Sequence, residues 1–170
     1  MFGGLKVMKF LCLGVLGFLA ACGITPASQS SELLSAKVAA ESQVSLCAAY
    51  QNPTTTPVEK LMIEAELGLR EVKQCSGANY GAATAASLGT QRYSRSAGAS
   101  QRVSNDLRNC NDFSSGAAAQ KFFLATGGPI NDPHNLDKDG DGLACEWGAQ
   151  VTRISTYRAP IATPVRRSPK

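Results

Sequence analysis

The chain is 170 residues long, with 17 Lys+Arg against 13 Asp+Glu for a net charge of +4, and only 6 % of its residues are aromatic. One Trp, four Tyr and six Phe, diluted by Gly, Ala and Ser, do not fill one large core. That argues against a Rossmann sheet, a barrel or another sizeable enzyme fold, while six Cys point to disulfide staples if the chain is exported.

The first 21 residues read as a signal peptide. Lys6 and Lys9 form a basic start, and Phe10 to Ala21 is an apolar run. The run is shorter than the ~20 residues a membrane-spanning helix needs. It ends in Leu19-Ala20-Ala21-Cys22, which resembles the lipobox of bacterial lipoproteins. The resemblance implies cleavage before Cys22, diacylglycerol on its thiol and acylation, by palmitate or a similar chain, of the new amino terminus. Several acyl chains at ~0.8 kcal/mol per buried CH2 give stable membrane anchoring. Gly23, where an Asp would favour inner-membrane retention, implies the outer membrane in a diderm organism. Cys12 leaves with the signal and Cys22 is blocked. Cys47, Cys75, Cys110 and Cys145 remain for two disulfides, with three possible pairings.

Residues 22–31 are small and polar and read as a tether. Residues 32–77 read as a helical hairpin. Glu32 to Tyr50 is free of Gly and Pro and permits a helix. Thr56-Pro57-Val58-Glu59 is a helix start: Thr as N-cap, Pro at the first helical position and Glu three residues after the cap. Val58, Leu61, Met62, Ala65 and Leu69 then form one apolar stripe, which should pack on the first helix through Leu34, Val38, Leu46 or Tyr50. Glu64, Glu66 and Glu71 read as the solvated face. The simplest disulfide pairing is local, so Cys47–Cys75 would clip this hairpin, contributing roughly 3–4 kcal/mol in the chain-entropy model.

Residues 78–105 are rich in Gly, Ala and Ser and carry Arg92, Arg95 and Arg102; they read as a flexible linker. In the segment 106–148, Ser114 or Ser115 can cap a helix running to about Thr126, with Gly127 as its stop. Beyond it lies Asp137-Lys138-Asp139-Gly140-Asp141-Gly142-Leu143-Ala144-Cys145-Glu146. Asp at alternate positions of a tight loop aims several carboxylates at one centre. A carbonyl near Leu143 can face inward, and Glu146 can close the shell. Hard oxygen ligands at this spacing suit Ca2+, which takes six to eight oxygens. The EF-hand pattern matches at Asp137, Asp139, Asp141 and Gly142 but fails at the last ligand, because Glu146 comes too soon after Gly142. The lone His134 beside hard carboxylates does not make a zinc site and reads as a surface residue.

Asn109-Cys110-Asn111-Asp112-Phe113, Ala118 to Phe123, Gly127-Gly128-Pro129, Asp132-Pro133, Leu136 and the Asp loop through Cys145-Glu146 together resemble the Excalibur domain, a small extracellular calcium-binding module of bacteria. The resemblance implies that Asp137, Asp139, Asp141 and Glu146 are ligands and that Cys110 pairs with Cys145. Asp112 and Asp132 are weaker candidates, Asp132 being equally suited to form a turn. A module this small needs a disulfide or a metal, and this one would have both.

Residues 149–170 hold five basic residues and three Pro and read as a basic disordered tail. The expected architecture is therefore α-rich and disulfide-stapled: hairpin, linker, calcium module, tail. The expected function is that of a non-enzymatic envelope lipoprotein binding Ca2+, with no catalytic residues. Two alternatives stand beside it. The basic blocks, +3 over 77–105 and +5 over 149–170, can meet an anionic envelope polymer such as lipopolysaccharide or DNA, although no specific nucleic-acid signal is present. Excalibur modules also accompany nuclease-type hydrolases, but the hairpin offers neither strands nor room for such a barrel.

Overall fold

The computed structural model describes residues 31–95 and 108–160. The signal sequence, Cys22, the tether up to residue 30 and Arg102 lie outside the described residues. Helices α1 (Ser31–Ala40), α2 (Gln43–Gln51), α3 (Pro57–Leu69) and α4 (Ala82–Ala85) precede a 3-10 turn at Cys110–Asp112. Helices α5 (Gly116–Ala125) and α6 (Trp147–Ser155) follow. Among the described residues no strand forms beyond an isolated Cys75–Ala78 bridge.

The expected helix start holds. Thr56 Oγ1 accepts from the Glu59 amide at 3.2 Å, with Pro57 in the first turn. The stretch 32–50, by contrast, is two helices rather than one. Ser42 ends the run because its hydroxyl accepts from the Ser45 amide at 3.1 Å and so caps α2. The carbonyls at the end of α1 find a donor from α3: the Arg70 guanidinium donates to Ala39 O at 2.9 Å and to Glu41 O at 2.7 Å.

Helix α3 is the centre of the molecule, packed by α1, α2, α5 and α6. Its stripe is consequently wider than the sequence suggests. Met62, Ile63, Ala65 and Leu67 are fully buried, whereas Val58 and Leu69 at its two ends are exposed. Glu64 and Glu66 are also buried, contrary to the solvated face expected for them; Glu71 alone of the three is exposed. Glu66 joins α3 to α5 by accepting from Lys121 Nζ, and it pairs with Arg70 at 2.7 Å. Burial pushes its carboxyl up, but the Lys121 and Arg70 hydrogen bonds and charges outweigh this and leave it below the usual range. Against Glu64 the only cationic influence among the described residues is the Lys60 charge, and it is outweighed by burial. Glu64 accepts from Tyr50 Oη at 2.8 Å and Thr84 Oγ1 at 2.6 Å, and burial raises its pKa.

Both disulfides are local: Cys47–Cys75 with Cα atoms 5.2 Å apart and Cys110–Cys145 at 5.5 Å, within the span a disulfide accepts. The units they staple are nonetheless not separate. One apolar core runs from Val38, Leu46, Met62 and Leu67 through Tyr80 to Phe123, Trp147, Val151 and Ile154. Trp147, fully buried, sits where α3, α5 and α6 meet. A Cβ on Gly68 would come within 2.7 Å of its ring, so only Gly lets α3 approach this closely.

The expected linker and tail move accordingly. Residues 78–95 are packed, not free. Tyr80 is buried with its hydroxyl donating to Val72 O at 2.7 Å. Asn79 Nδ2 donates to the Ser155 and Tyr157 carbonyls at the end of α6. Gly81, at φ +79°, lies against Val151, where a Cβ would be 2.4 Å from its side chain. The small residues that mimic a flexible linker here permit close approach. The start of the expected tail is likewise folded, because α6 continues to Ser155 with Val151 and Ile154 buried, and residues 161–170 lie outside the described residues.

Candidate metal centre

The Asp loop follows α5 in sequence and is shaped by its own carboxylates. Asp132 accepts from the amides of Leu136 and Asp137, both at 2.9 Å, which is the turn-forming role. Asp137 Oδ1 accepts from the Asp141 amide at 3.1 Å and its Oδ2 from the Gly142 amide at 2.9 Å. Asp141 Oδ1 accepts from the Leu143 amide at 2.8 Å. Gly140 and Gly142 take positive φ, 72° and 89°, as the tight turn requires.

This geometry gathers Asp137, Asp139 and Asp141, with one carboxylate oxygen from each lying within 4.8 Å of the others. Asp137 and Asp141 are buried and Asp139 is exposed, so the cluster opens to solvent on the Asp139 side. Three hard anionic oxygens so placed fit a hard cation such as Ca2+ and repel one another without positive charge between them. Burial raises the Asp137 carboxyl to about 6; the Arg95 charge and the Gly142 and Arg95 hydrogen bonds oppose that rise, and Asp139 adds to it.

The other sequence-designated residues fall elsewhere. Glu146 is exposed at the start of α6 and is not among the three clustered carboxylates. Leu143 is buried and enters the loop through its amide. Asp112 accepts from the Asn109 amide at 2.7 Å in a capping box around the 3-10 turn. His134 is half-buried against the Phe122 ring, centroids 5.0 Å apart. The Cys110–Cys145 bond ties the start of the segment to the residue before Glu146.

Two supports of the loop escaped the sequence reading. Gln120 of α5, fully buried, donates from Nε2 to Gly142 O at 2.9 Å and accepts at Oε1 from the Ala144 amide at 2.7 Å. A lone amide among Ala117, Ala119, Phe123 and Leu124 is a readable sign of a buried polar partner. The second support is residues 87–95, which cross the loop as a strap. The Gly89 amide donates to Asp141 Oδ2 at 2.7 Å, and the Arg92 and Tyr93 amides donate to Gly140 O, both at 2.8 Å. Arg95 ion-pairs with Asp137. Its sequence sign is electrostatic: the +3 block 77–105 directly precedes a −4 block, 106–148.

No curated protein and no solved structure matches the chain. Residues 108–146 match the family model of the Excalibur calcium-binding domain, which covers the 3-10 turn, α5 and the Asp loop but neither α1–α4 nor the strap. An Excalibur calcium-binding domain is thus present at 108–146, in a chain most of which lies outside it.

Proposed function

We propose that the protein is a non-enzymatic, membrane-anchored envelope lipoprotein that holds one Ca2+ in the loop Asp137–Asp141. The observation that carries the calcium part is the convergence of Asp137, Asp139 and Asp141 inside the Excalibur match. Asp137 and Asp141 are held by backbone amides and Asp139 reaches the site from the open side. A carbonyl near Leu143, Glu146 by a side-chain swing, and water are the expected further ligands. Mg2+ should compete poorly, since it demands short octahedral contacts and gives up water reluctantly.

The anchoring part rests on Leu19-Ala20-Ala21-Cys22, and the non-enzymatic part on the hairpin segment 32–75, where the sequence pairs no nucleophile with a base. The helices outside the Excalibur match share one apolar core with it. The polymer-binding alternative loses part of its footing: Arg95, one of the three cations of the 77–105 block, is committed to Asp137.

Calorimetric titration with Ca2+ and then Mg2+ tests the reading. It is done on the whole mature chain rather than on 105–148, because α5 and Trp147 share the core of α1 and α3. The expected result is one Ca2+ per chain, lost in Asp139→Ala. Absence of binding at millimolar Ca2+ would reduce the loop to an acidic turn. Palmitate labelling of wild type and Cys22→Ala tests the anchor; equal labelling removes it.

A further inference from the structure

Arg95 lies outside the Excalibur match, yet its guanidinium is seated in the acidic loop. Its Nη2 donates to Asp137 Oδ2 and to Pro129 O at 3.0 Å, and its Nε donates to the Asp137 carbonyl at 2.9 Å. Asp132 Oδ2 stands 3.9 Å from Nε. The side chain is only 14 % exposed. Asp137 Oδ2 already accepts from the Gly142 amide, so the second bond, from Arg95, uses the remaining lone pair of that oxygen. Asp137 Oδ1 and both oxygens of Asp141 each accept one backbone amide, which leaves a further lone pair on each. A cation bridging the three carboxylates therefore meets a fixed positive charge on one of its own ligands.

We propose that Arg95 is an internal competitor of the bound cation: its docking on Asp137 and the binding of Ca2+ to the Asp loop oppose each other, so that calcium loosens the strap 87–95. The inference rests on the calcium reading above. Two facts give it its form. The charge is intramolecular, so it is present at the loop at high effective concentration whatever the solution contains. The strap is held to the same loop by the Arg92 and Tyr93 amides on Gly140 O and by the Gly89 amide on Asp141, so a shift of Arg95 is transmitted to backbone bonds. Linkage makes the effect reciprocal: the factor by which the docked strap weakens calcium is the factor by which calcium weakens docking. Couplings of this kind are typically 5- to 150-fold. In this chain the Excalibur loop would thus have a calcium threshold set by a residue outside the family match, and a segment whose exposure reports calcium.

The test uses the whole mature chain in three forms: wild type, Arg95→Gln and Arg95→Lys. Calcium affinity is read by calorimetry and strap docking by hydrogen exchange at the Arg92 and Tyr93 amides. The expected result is that Arg95→Gln binds Ca2+ at least fivefold tighter than wild type, while Arg95→Lys, which keeps the charge, stays nearer to wild type. Saturating Ca2+ should lower protection of the two amides in wild type and leave them unchanged in Arg95→Gln. An Arg95→Gln affinity equal to or weaker than wild type overturns the inference while leaving the calcium reading intact. The exchange measurement on wild type needs no variant, and unchanged or increased protection with Ca2+ also overturns it. If neither wild type nor Arg95→Gln binds Ca2+ at 10 mM, the calcium reading falls and the inference with it.

Discussion

The helical hairpin and the Asp loop are each closed by a local disulfide, yet they are built by opposite means. In the hairpin, Cys47–Cys75 closes over α3, whose Met62, Ile63, Ala65 and Leu67 are wholly removed from water. In the loop, Cys110–Cys145 closes over a chain turned by carboxylate-to-amide bonds at Asp132, Asp137 and Asp141, with Gln120 underneath. Apolar burial is non-directional and tolerates small shifts, whereas hydrogen-bonded carboxylates fix a geometry and concentrate charge. The hairpin thus contributes the stability against which a charge-dense loop can be held. The two meet at Trp147, whose ring lies on Gly68 of α3 while its backbone begins α6 directly after the Asp loop.

Trp147 therefore joins the two regions. Trp147→Ala removes a fully buried ring from the joint and should cost about 3–5 kcal/mol. Wild type should melt in one calorimetric transition, since α5 packs on both α1 and α3. Two well-separated transitions would show that the hairpin and the loop are independent units. Trp147→Phe should cost less than Trp147→Ala, because it keeps an aromatic ring in the joint and the indole N–H it deletes has no hydrogen-bond partner among the described residues to leave unpaired.

Gln120→Ala acts on the loop side. It strips the Gly142 carbonyl and the Ala144 amide of their buried partner, which should cost about 1–3 kcal/mol. The affinity for Ca2+ should fall with it, because the loop loses its seat on α5. Denaturant titration gives the first quantity and calorimetry the second. Undiminished calcium binding in a destabilised Gln120→Ala would mean that the loop takes its shape from its own carboxylates alone.

What was legible in the sequence follows the same division. The Asp loop, the Ser115 and Thr56 caps and the local pairing of cysteines are written in adjacent residues, and the structure has them. What depended on distant contacts was misread. Composition made 78–95 a linker, whereas Tyr80, Gly81 and Thr84 pack on Val72, Val151 and Glu64. The acidic positions of α3 looked solvated because one apolar stripe was visible, and a helix surrounded on several sides buries its polar residues too. Arg95 and Gln120 were missed for one reason: their partners lie 42 and 22–24 residues away.

Glu64 supplies the finest test, because it is a buried carboxylate on the hairpin side to set beside Asp137. Tyr50 and Thr84 donate to its two oxygens, and the Gly81 amide donates to Tyr50 Oη at 3.0 Å. Burial raises Glu64 above its ordinary 4.5 and, together with the Glu64 charge, pushes the Tyr50 hydroxyl up to about 12. A carboxyl whose folded value lies above its unfolded one binds its proton more tightly in the folded protein. Its contribution to stability is thus fully present below the unfolded value and is lost as pH rises through the folded one. Glu66, held below the ordinary value by Lys121 and Arg70, contributes in the opposite sense, and Asp137, raised to about 6, in the same sense as Glu64, so the total pH profile mixes all three. Subtraction separates them. Glu64→Gln keeps the shape and cannot ionise, so the stability difference between wild type and Glu64→Gln should shift in favour of wild type as pH falls from 7 toward 4.5. Denaturant midpoints of both proteins across that range measure it. A flat difference would mean that the Tyr50 and Thr84 bonds fully offset burial, so that Glu64 holds the segment 80–84 against α3 with no pH dependence of its own.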